Sequence, residues 1–472
     1  MPTPHLQLKA PDTQGVWQLP AGVERELRAV LGEGGLITDE ERLMAYAGDE
    51  SPVVPVLPAA VVLPQSSLDV AKVLDICHRE RIPVTPRGGG SGKVGGCVPL
   101  YGGVVLATHT LTTPVQVDAR SRIASAGAGI LLAHFQGEVE AAGLAYPPDP
   151  GSAEWATLGG TVATNAGGPS SMKYGVTTDH VLALEVVVAG GQILNLGHHS
   201  PKGVTGYNVA SLFTGSEGTL GVVTGVTLRL RTAAPVRRSL YAPFDSPGAA
   251  MTCLGELLRH GVEPRAAEFF DTYALTGLRG EIPGLPAGGA ALLLELDGPT
   301  EEVCQFHLER AAEQLLPYTC ADPIVARDGA QHQQLWQVRA LLSKVVKRGF
   351  AHYVSEDVGV PPAQLPTLVE YVAHLRQKSG LTLLCYGHAG DGNLHVNVLF
   401  HDVAEQRRVN EVVVDLFRKV ITLGGTLSGE HGIGAAKRPY MSIEQSAGLM
   451  DLQRRLKAQF DPHGIMNPGK IF

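Results

Sequence analysis

The run "AAVVL" at Ala59 predicts a strand, and from Ser66 the apolar positions respace so that Leu68, Ala71, Leu74 and Cys77 fall on one face of a helix. A second apolar run, "IPVTP", ends in glycines, which makes the order strand, helix, strand with a glycine-rich exit. "GVVLAT", "RIASAGAGI", a helical stretch "LLAHFQGEVEAAGL" and the strands "ALEVVVAG" and "VTGVTLRLR" carry the same mixture to Arg231. The polar, proline-bearing segment "TAAPVRRSLYAPFDSP" then reads as a boundary. Beyond it the pattern predicts helices over 249–259, 300–316 and 331–347, and the strands "AALLLELDG", "LTLLCYGH" and "LHVNVLF". That order suits an α+β domain on an antiparallel sheet. The predicted division is an N-terminal extension over 1–35, a first domain over 36–235, a second over 236–425 and a C-terminal segment over 426–472.

Composition narrows the functions. At 472 residues the chain is long enough for two or three domains, and its 57 glycines imply many tight turns or backbone-lined grooves. A net charge of -8 argues against a nucleic-acid partner, which needs a basic surface to displace counterions from phosphates. Cys77, Cys97, Cys253, Cys304, Cys320 and Cys385 are scattered, without the spacing of a cluster, a zinc knuckle or a redox dithiol. The first residues lack a signal-peptide pattern, and no apolar run approaches the ~20 residues of a membrane span, so a cytoplasmic protein is expected.

Four glycine-bearing segments crowd the first domain: "PRGGGSGKVGG" from Pro86, "PPDPGS" from Pro147, "TLGGTVATNAGGPSSMKYG" from Thr157 and "TGSEGTLGVV" from Thr214. The first follows a predicted strand, where its N–H groups can cradle a pyrophosphate, although it matches neither the dinucleotide nor the P-loop fingerprint. Four such loops in one domain exceed what turns require and favour a nucleotide site.

In "LTLLCYGHAGDGNLHVNVLF" two strands flank "AGDGN", a turn whose glycines and asparagine accept positive φ. Period-two alternation puts His395, Asn397 and Leu399 on one face of the second strand, and Leu394, Val396 and Val398 on the other. A hairpin would bring His388 close to His395, and two histidines alone suit a metal site or a solvent-exposed turn equally. A third donor tips the balance. "TLSGEHGIG" sets Glu430 and His431 among glycines, and two histidines with one carboxylate form a catalytic set for zinc, manganese, iron or cobalt.

From about Leu36 to Phe472 the chain closely resembles the vanillyl-alcohol-oxidase-type FAD-binding proteins, and within them the FAD-dependent D-2-hydroxyacid dehydrogenases. The signatures "HxGDGNxH" and "GEHGxG" are specific to the latter. The resemblance implies an α+β protein with a two-subdomain FAD-binding domain and an α+β substrate or cap domain on an antiparallel sheet. It implies that FAD contacts Pro86, Arg87, Gly88, Gly89, Gly90, Ser91 and Gly92, then Pro148, Asp149, Gly151 and Ser152, then Thr157, Gly159, Gly160, Asn165, Gly167, Gly168 and Gly175. Glu217, Gly218, Gly221 and Val222 complete the implied set, with Asn467 in a C-terminal "MNPGKIF" that returns to the flavin domain. Ser91 stands where some relatives attach FAD through a histidine, so non-covalent FAD is implied.

His388, His395 and Glu430 are the implied metal ligands and His431 the base, on a 2-hydroxy acid such as glycolate, D-lactate or D-2-hydroxyglutarate. Arg339 alone reads as a surface residue, but the resemblance makes it the partner of the substrate carboxylate, with Ser343 one turn away and Asn397 on the substrate side. Tyr353 departs from the family, whose members often carry a lysine shortly before "EDV". His109, His134 and His180 read as surface or satisfied core histidines. The electron acceptor, an iron–sulfur partner subunit or a soluble carrier, stays open, as does a homodimer. Two other readings are an alcohol or aldose oxidase of the same flavin fold, which needs no metal donors, and an accessory FAD-binding subunit, which has no use for Glu430 and His431.

Overall fold

A computed structural model describes residues 18–279, 285–326, 328–345 and 347–472. Its chain divides into two compact units. One runs to Ala166 and resumes over Val176–Thr232 and His431–Phe472; the other comprises Gly167–Gly175 and Ala233–Glu430. The short piece Gly167–Gly175 joins the second unit because Lys173 and Tyr174 both bind the buried Asp297, at 2.5 and 2.6 Å. Among the described residues no helix is long and apolar enough to cross a membrane.

The first unit contains a four-stranded sheet in the order Leu36–Ile37, Ala60–Val62, Val104–Ala107, Val84–Arg87, parallel except at its first pair. Helix Ser67–Arg79 connects two of these strands. Ser66 caps it by accepting from the Asp69 N–H, and Val70, Val73, Leu74 and Cys77 are buried. Leu68, expected on that buried face, is 56% exposed, since the core is centred one position further round. Helix Ala21–Leu31, in the predicted extension, packs Val23 and Leu27 into the same core. A second, five-stranded antiparallel sheet runs Gln116–Asp118, Ile123–Gly127, Val222–Arg229, Val181–Val187, Ile193–Gly197. The C-terminal tail returns to this unit: Met466 bridges Val84, and the Asn467 N–H donates to the Val84 carbonyl at 2.7 Å.

The second unit is built on one seven-stranded antiparallel sheet, ordered Ile324–Val325, Val236–Phe244, Ala290–Gly298, Ala266–Phe270, Thr382–His388, Asn393–Phe400, His352–Gly359. Every residue of Ala290–Gly298 and of Asn393–Phe400 is buried, the polar His395, Asn397, Glu295 and Asp297 included, and the apolar stretch Ala290–Leu294 suits a strand packed on both faces. On one face Leu335, Val338 and Leu342 of helix Gly329–Val345 pack against Tyr241, Phe270, Leu384 and Leu399. The predicted helices therefore appear at Pro247–Arg259, Glu301–Leu315 and Gly329–Val345.

Candidate active site

By its sequence the segment from Thr157 reads as one glycine loop, but Leu158–Thr164 is a helix, capped by Thr157 Oγ1 accepting from the Gly160 N–H and ended by Asn165 in the left-handed region at φ 51°. Gly159 and Gly160 lie inside it. Gly167, Gly168 and Gly175 fall in the piece of chain assigned to the second unit, and the other residues expected at the cofactor in the first. In the first glycine run a Cβ at Gly88 would overlap Thr157 Oγ1, and one at Gly89 the Trp155 carbonyl oxygen. These glycines are required by one loop lying directly on another. Ser152 closes that neighbouring loop, its carbonyl accepting from the Trp155 and Ala156 N–H groups, while Gln136 reaches back to the Pro148 carbonyl at 2.9 Å; Asp149 and Gly151 lie between. The N–H groups of residues 88–92, which include Ser91 and Gly92, donate to no described residue. A row of unengaged donors after a strand fits an anionic pyrophosphate.

Other expected cofactor residues are engaged with the chain itself. Pro86 and Arg87 end a strand, and the Arg87 guanidinium donates to the Gly48 carbonyl at 2.5 Å. Glu217, at φ 52° and buried, accepts from the Ile433 and Gly434 N–H groups, both at 2.7 Å. Gly218 follows at φ 70°, and Gly221 leads into the strand that starts at Val222. Asn467 Nδ2 donates to the Gly96 and Glu217 carbonyls at 3.0 and 2.7 Å. These two side chains clamp the returning tail onto the glycine-bearing loops. Asn467→Ala, which deletes one buried and one partly buried hydrogen bond at a φ of 42°, is expected to cost about 2 kcal/mol and to lower both melting temperature and the flavin-to-protein absorbance ratio. Unchanged values of both would show that the tail is held otherwise.

His180 is fully buried with Nδ1 3.1 Å from the Arg229 carbonyl, His109 stacks on Tyr46, and His134 is exposed, as expected of surface or satisfied core histidines.

In the second unit the hairpin turns through one 3-10 turn, Ala389–Asp391, closed by Gly392 at φ 85°, where a Cβ would overlap the Val360 carbonyl. This brings the His388 and His395 rings to 5.4 Å between centroids. Both Nε2 atoms face Glu430 Oε1, at 3.4 and 3.6 Å, and one ligand atom from each of the three residues lies within 4.8 Å of the others.

Two carboxylates that sequence reasoning missed stand behind the histidines. Glu268, opposite His388 in the ladder and fully buried, lies 2.5 Å from His388 Nδ1 and accepts from Arg339 Nε at 2.5 Å. Asp357, opposite His395, accepts from Asn393 Nδ2 at 2.5 Å, from Ser428 Oγ at 3.0 Å and from the Glu430 N–H at 3.0 Å. Each is an acid inside an otherwise strand-like stretch, "AAEFF" and "HYVSEDVG", which is the signal that could have found them.

Arg339 is no surface residue: its guanidinium lies over the Tyr386 ring at 5.3 Å and its side chain is 20% exposed. Asn397 is fully buried on the His395 side of its strand, and neither amide atom makes a hydrogen bond of good geometry among the described residues; the Tyr386 phenol is its electrostatic neighbour. The Ser343 side chain lies outside the described residues. His431 directly follows Glu430 and opens the C-terminal segment of the first unit.

Burial disfavours the charged forms of both partners, yet Glu268 and Glu430 hold His388 well above the usual histidine value. His388 and Arg339 likewise bring Glu268 down to about 2 against its burial. Three carboxylates around two imidazoles, with Arg339 paired to one of them, leave an excess of negative charge. The donor set, two imidazole nitrogens and one carboxylate oxygen, fits a divalent cation.

The fold is shared with solved structures of p-cresol methylhydroxylase with substrate bound (TM-score 0.78, 16% identity, 95% of this chain and 96% of that one) and of 4-ethylphenol oxidase from Gulosibacter chungangensis in its isoeugenol complex (TM-score 0.77, 19% identity, 96% of each). This agrees with the expected vanillyl-alcohol-oxidase-type architecture. Residues 58–197 match the FAD binding domain family, and residues 233–471 match the family described as FAD linked oxidases, C-terminal domain. The chain belongs to the FAD-linked oxidases, and it is an FAD-binding oxidoreductase. It is 33% identical to glycolate oxidase subunit GlcD of Bacillus subtilis (strain 168) over 95% of this chain and 96% of that one. It is 35% identical to D-lactate dehydrogenase of Anaerostipes hadrus (88% and 89% covered) and 30% identical to D-2-hydroxyglutarate dehydrogenase of Stutzerimonas stutzeri (95% and 98% covered).

Proposed function

We propose that the chain oxidises a D-2-hydroxy acid of the glycolate, D-lactate or D-2-hydroxyglutarate type to the 2-oxo acid. FAD is bound non-covalently, and His388, His395 and Glu430 hold a divalent ion, zinc first and manganese, iron or cobalt by the same ligand types. The observation that carries this reading is the convergence of two imidazole nitrogens and a carboxylate oxygen within 4.8 Å, and the names of the relatives support the substrate class.

When bound, the ion supplies Lewis acidity at the α-hydroxyl and FAD supplies the hydride acceptor. The chain's residues bind and orient. Arg339, whose Nε is occupied by Glu268, takes the substrate carboxylate through its terminal N–H groups, with Ser343 one turn away. Asn397 supplies a buried amide for a substrate oxygen. His431 takes the hydroxyl proton as the Cα hydrogen leaves with its electron pair. Tyr353, 47% exposed with Lys347 Nζ 3.7 Å from its ring centroid, stands in the neighbourhood where family members often carry a lysine shortly before "EDV", and we infer a different recognition of the substrate side chain from it. Reoxidation falls to a cytoplasmic acceptor outside this chain, an iron–sulfur partner subunit or a soluble carrier.

Arg339 on the substrate carboxylate and His431 on the hydroxyl proton would orient Cα, so the reaction is expected to be stereospecific. Anaerobic mixing with D-lactate, D-2-hydroxyglutarate or glycolate is expected to bleach the flavin spectrum, and L-lactate is expected to leave it unchanged. Equal rates with D- and L-lactate, or no bleaching by any of these acids, would remove the assignment.

A further inference from the structure

Four of the five residues in the strand Ala266–Phe270 are apolar, all five are buried, and Glu268 stands in the middle. Its oxygens are divided between two partners: Oε2 accepts from Arg339 Nε and Oε1 lies at hydrogen-bond distance from His388 Nδ1, both at 2.5 Å. A guanidinium Nε always carries its proton, and an ionised carboxylate has none to offer. Nδ1 of His388 is therefore the protonated nitrogen, and the lone pair available to a cation is on Nε2, the atom that faces Glu430 Oε1 at 3.4 Å. The same carboxylate fixes the plane of the Arg339 guanidinium.

We propose that Glu268 is a positioning residue that sets the His388 tautomer for ligation through Nε2 and, with its other oxygen, aims Arg339 at the substrate carboxylate. The inference rests on the functional reading above, in which His388 holds a divalent ion and Arg339 binds substrate. One carboxylate thereby couples ion binding to substrate binding, although it touches neither ligand.

Glu268→Gln separates this role from simple packing, because it keeps the shape while turning one acceptor into a donor. With its amide oxygen toward Arg339 Nε, the NH2 faces His388 Nδ1, and the imidazole must accept there and carry its proton on Nε2, which blocks ligation. Turned the other way, the NH2 meets the Arg339 Nε–H, donor against donor, and the guanidinium is released. A purely structural residue would tolerate the isostere.

The test is a calorimetric titration of chelator-stripped wild type and Glu268→Gln holoflavoprotein with zinc, alongside FAD content and melting temperature. Wild type is expected to bind one zinc per chain. Glu268→Gln is expected to keep FAD and cooperative melting, to bind zinc roughly 10- to 100-fold more weakly, and to show a raised KM for D-lactate at saturating zinc. Equal zinc affinity and equal KM would overturn the inference while leaving the functional reading intact, whereas a wild type that binds no divalent ion would bring down the functional reading itself. Independently of how the variant folds, a zinc-loaded wild-type structure with the ion on His388 Nδ1 would also overturn the inference.

Discussion

Exhaustive chelation of the purified protein is expected to reduce turnover of D-2-hydroxy acids to background while the protein stays yellow with unchanged FAD content. The two ligand sets share no residue: His388, His395 and Glu430 belong to the second unit, and Gly88 to Gly92 to the first. Readdition of zinc, manganese or cobalt should restore activity to different extents, since each prefers other ligand sets and acidifies a hydroxyl differently. Reloading should also weaken as pH falls. Burial opposes a charged His388, but Glu268 and Glu430 outweigh it and hold the ring well above its usual value, so a proton competes with the ion. Element analysis by mass spectrometry, with activity before and after chelation, checks this. Full activity in a protein without stoichiometric divalent metal would show that the hairpin histidines are structural.

His431→Asn is expected to slow flavin reduction by D-lactate roughly 10²- to 10⁴-fold, the usual cost of a lost general base. Asparagine is close in size and keeps hydrogen-bonding capacity, but it cannot take a proton. FAD content, metal content and substrate affinity should therefore hold while the reductive rate alone falls. Anaerobic stopped-flow mixing reads that rate directly; a rate within about threefold of wild type would assign the base to another group.

Much of the candidate site was legible because its geometry is local. The alternation in "LHVNVLF" and the glycine turn before it were enough to set His388 beside His395, and the hairpin brings their rings to 5.4 Å. The glycine-bearing loops were legible by composition, although their reason was only half seen: Gly88 and Gly89 are small because Thr157 and Trp155 lie against them. Helix Leu158–Thr164 was hidden by its own glycines, which lower helix propensity and read as loop. Glu217 and Asn467 are expected at the flavin, and their side chains also clamp the tail, which no local pattern announces.

By itself, then, the sequence determined the mixed α and β character, the hairpin and the donor types, since each follows from periodicity or turn chemistry within a few residues. Tertiary structure alone decided which groups stand behind those donors. Glu268 meets His388 because strand Ala266–Phe270 pairs with Thr382–His388, and Asp357 meets His395 because His352–Gly359 lies on the other side of the hairpin. Arg339 comes in from a helix packed over that sheet. Such neighbours are set by strand order and long-range packing, and a single acid in an apolar strand carries no local mark of its partner.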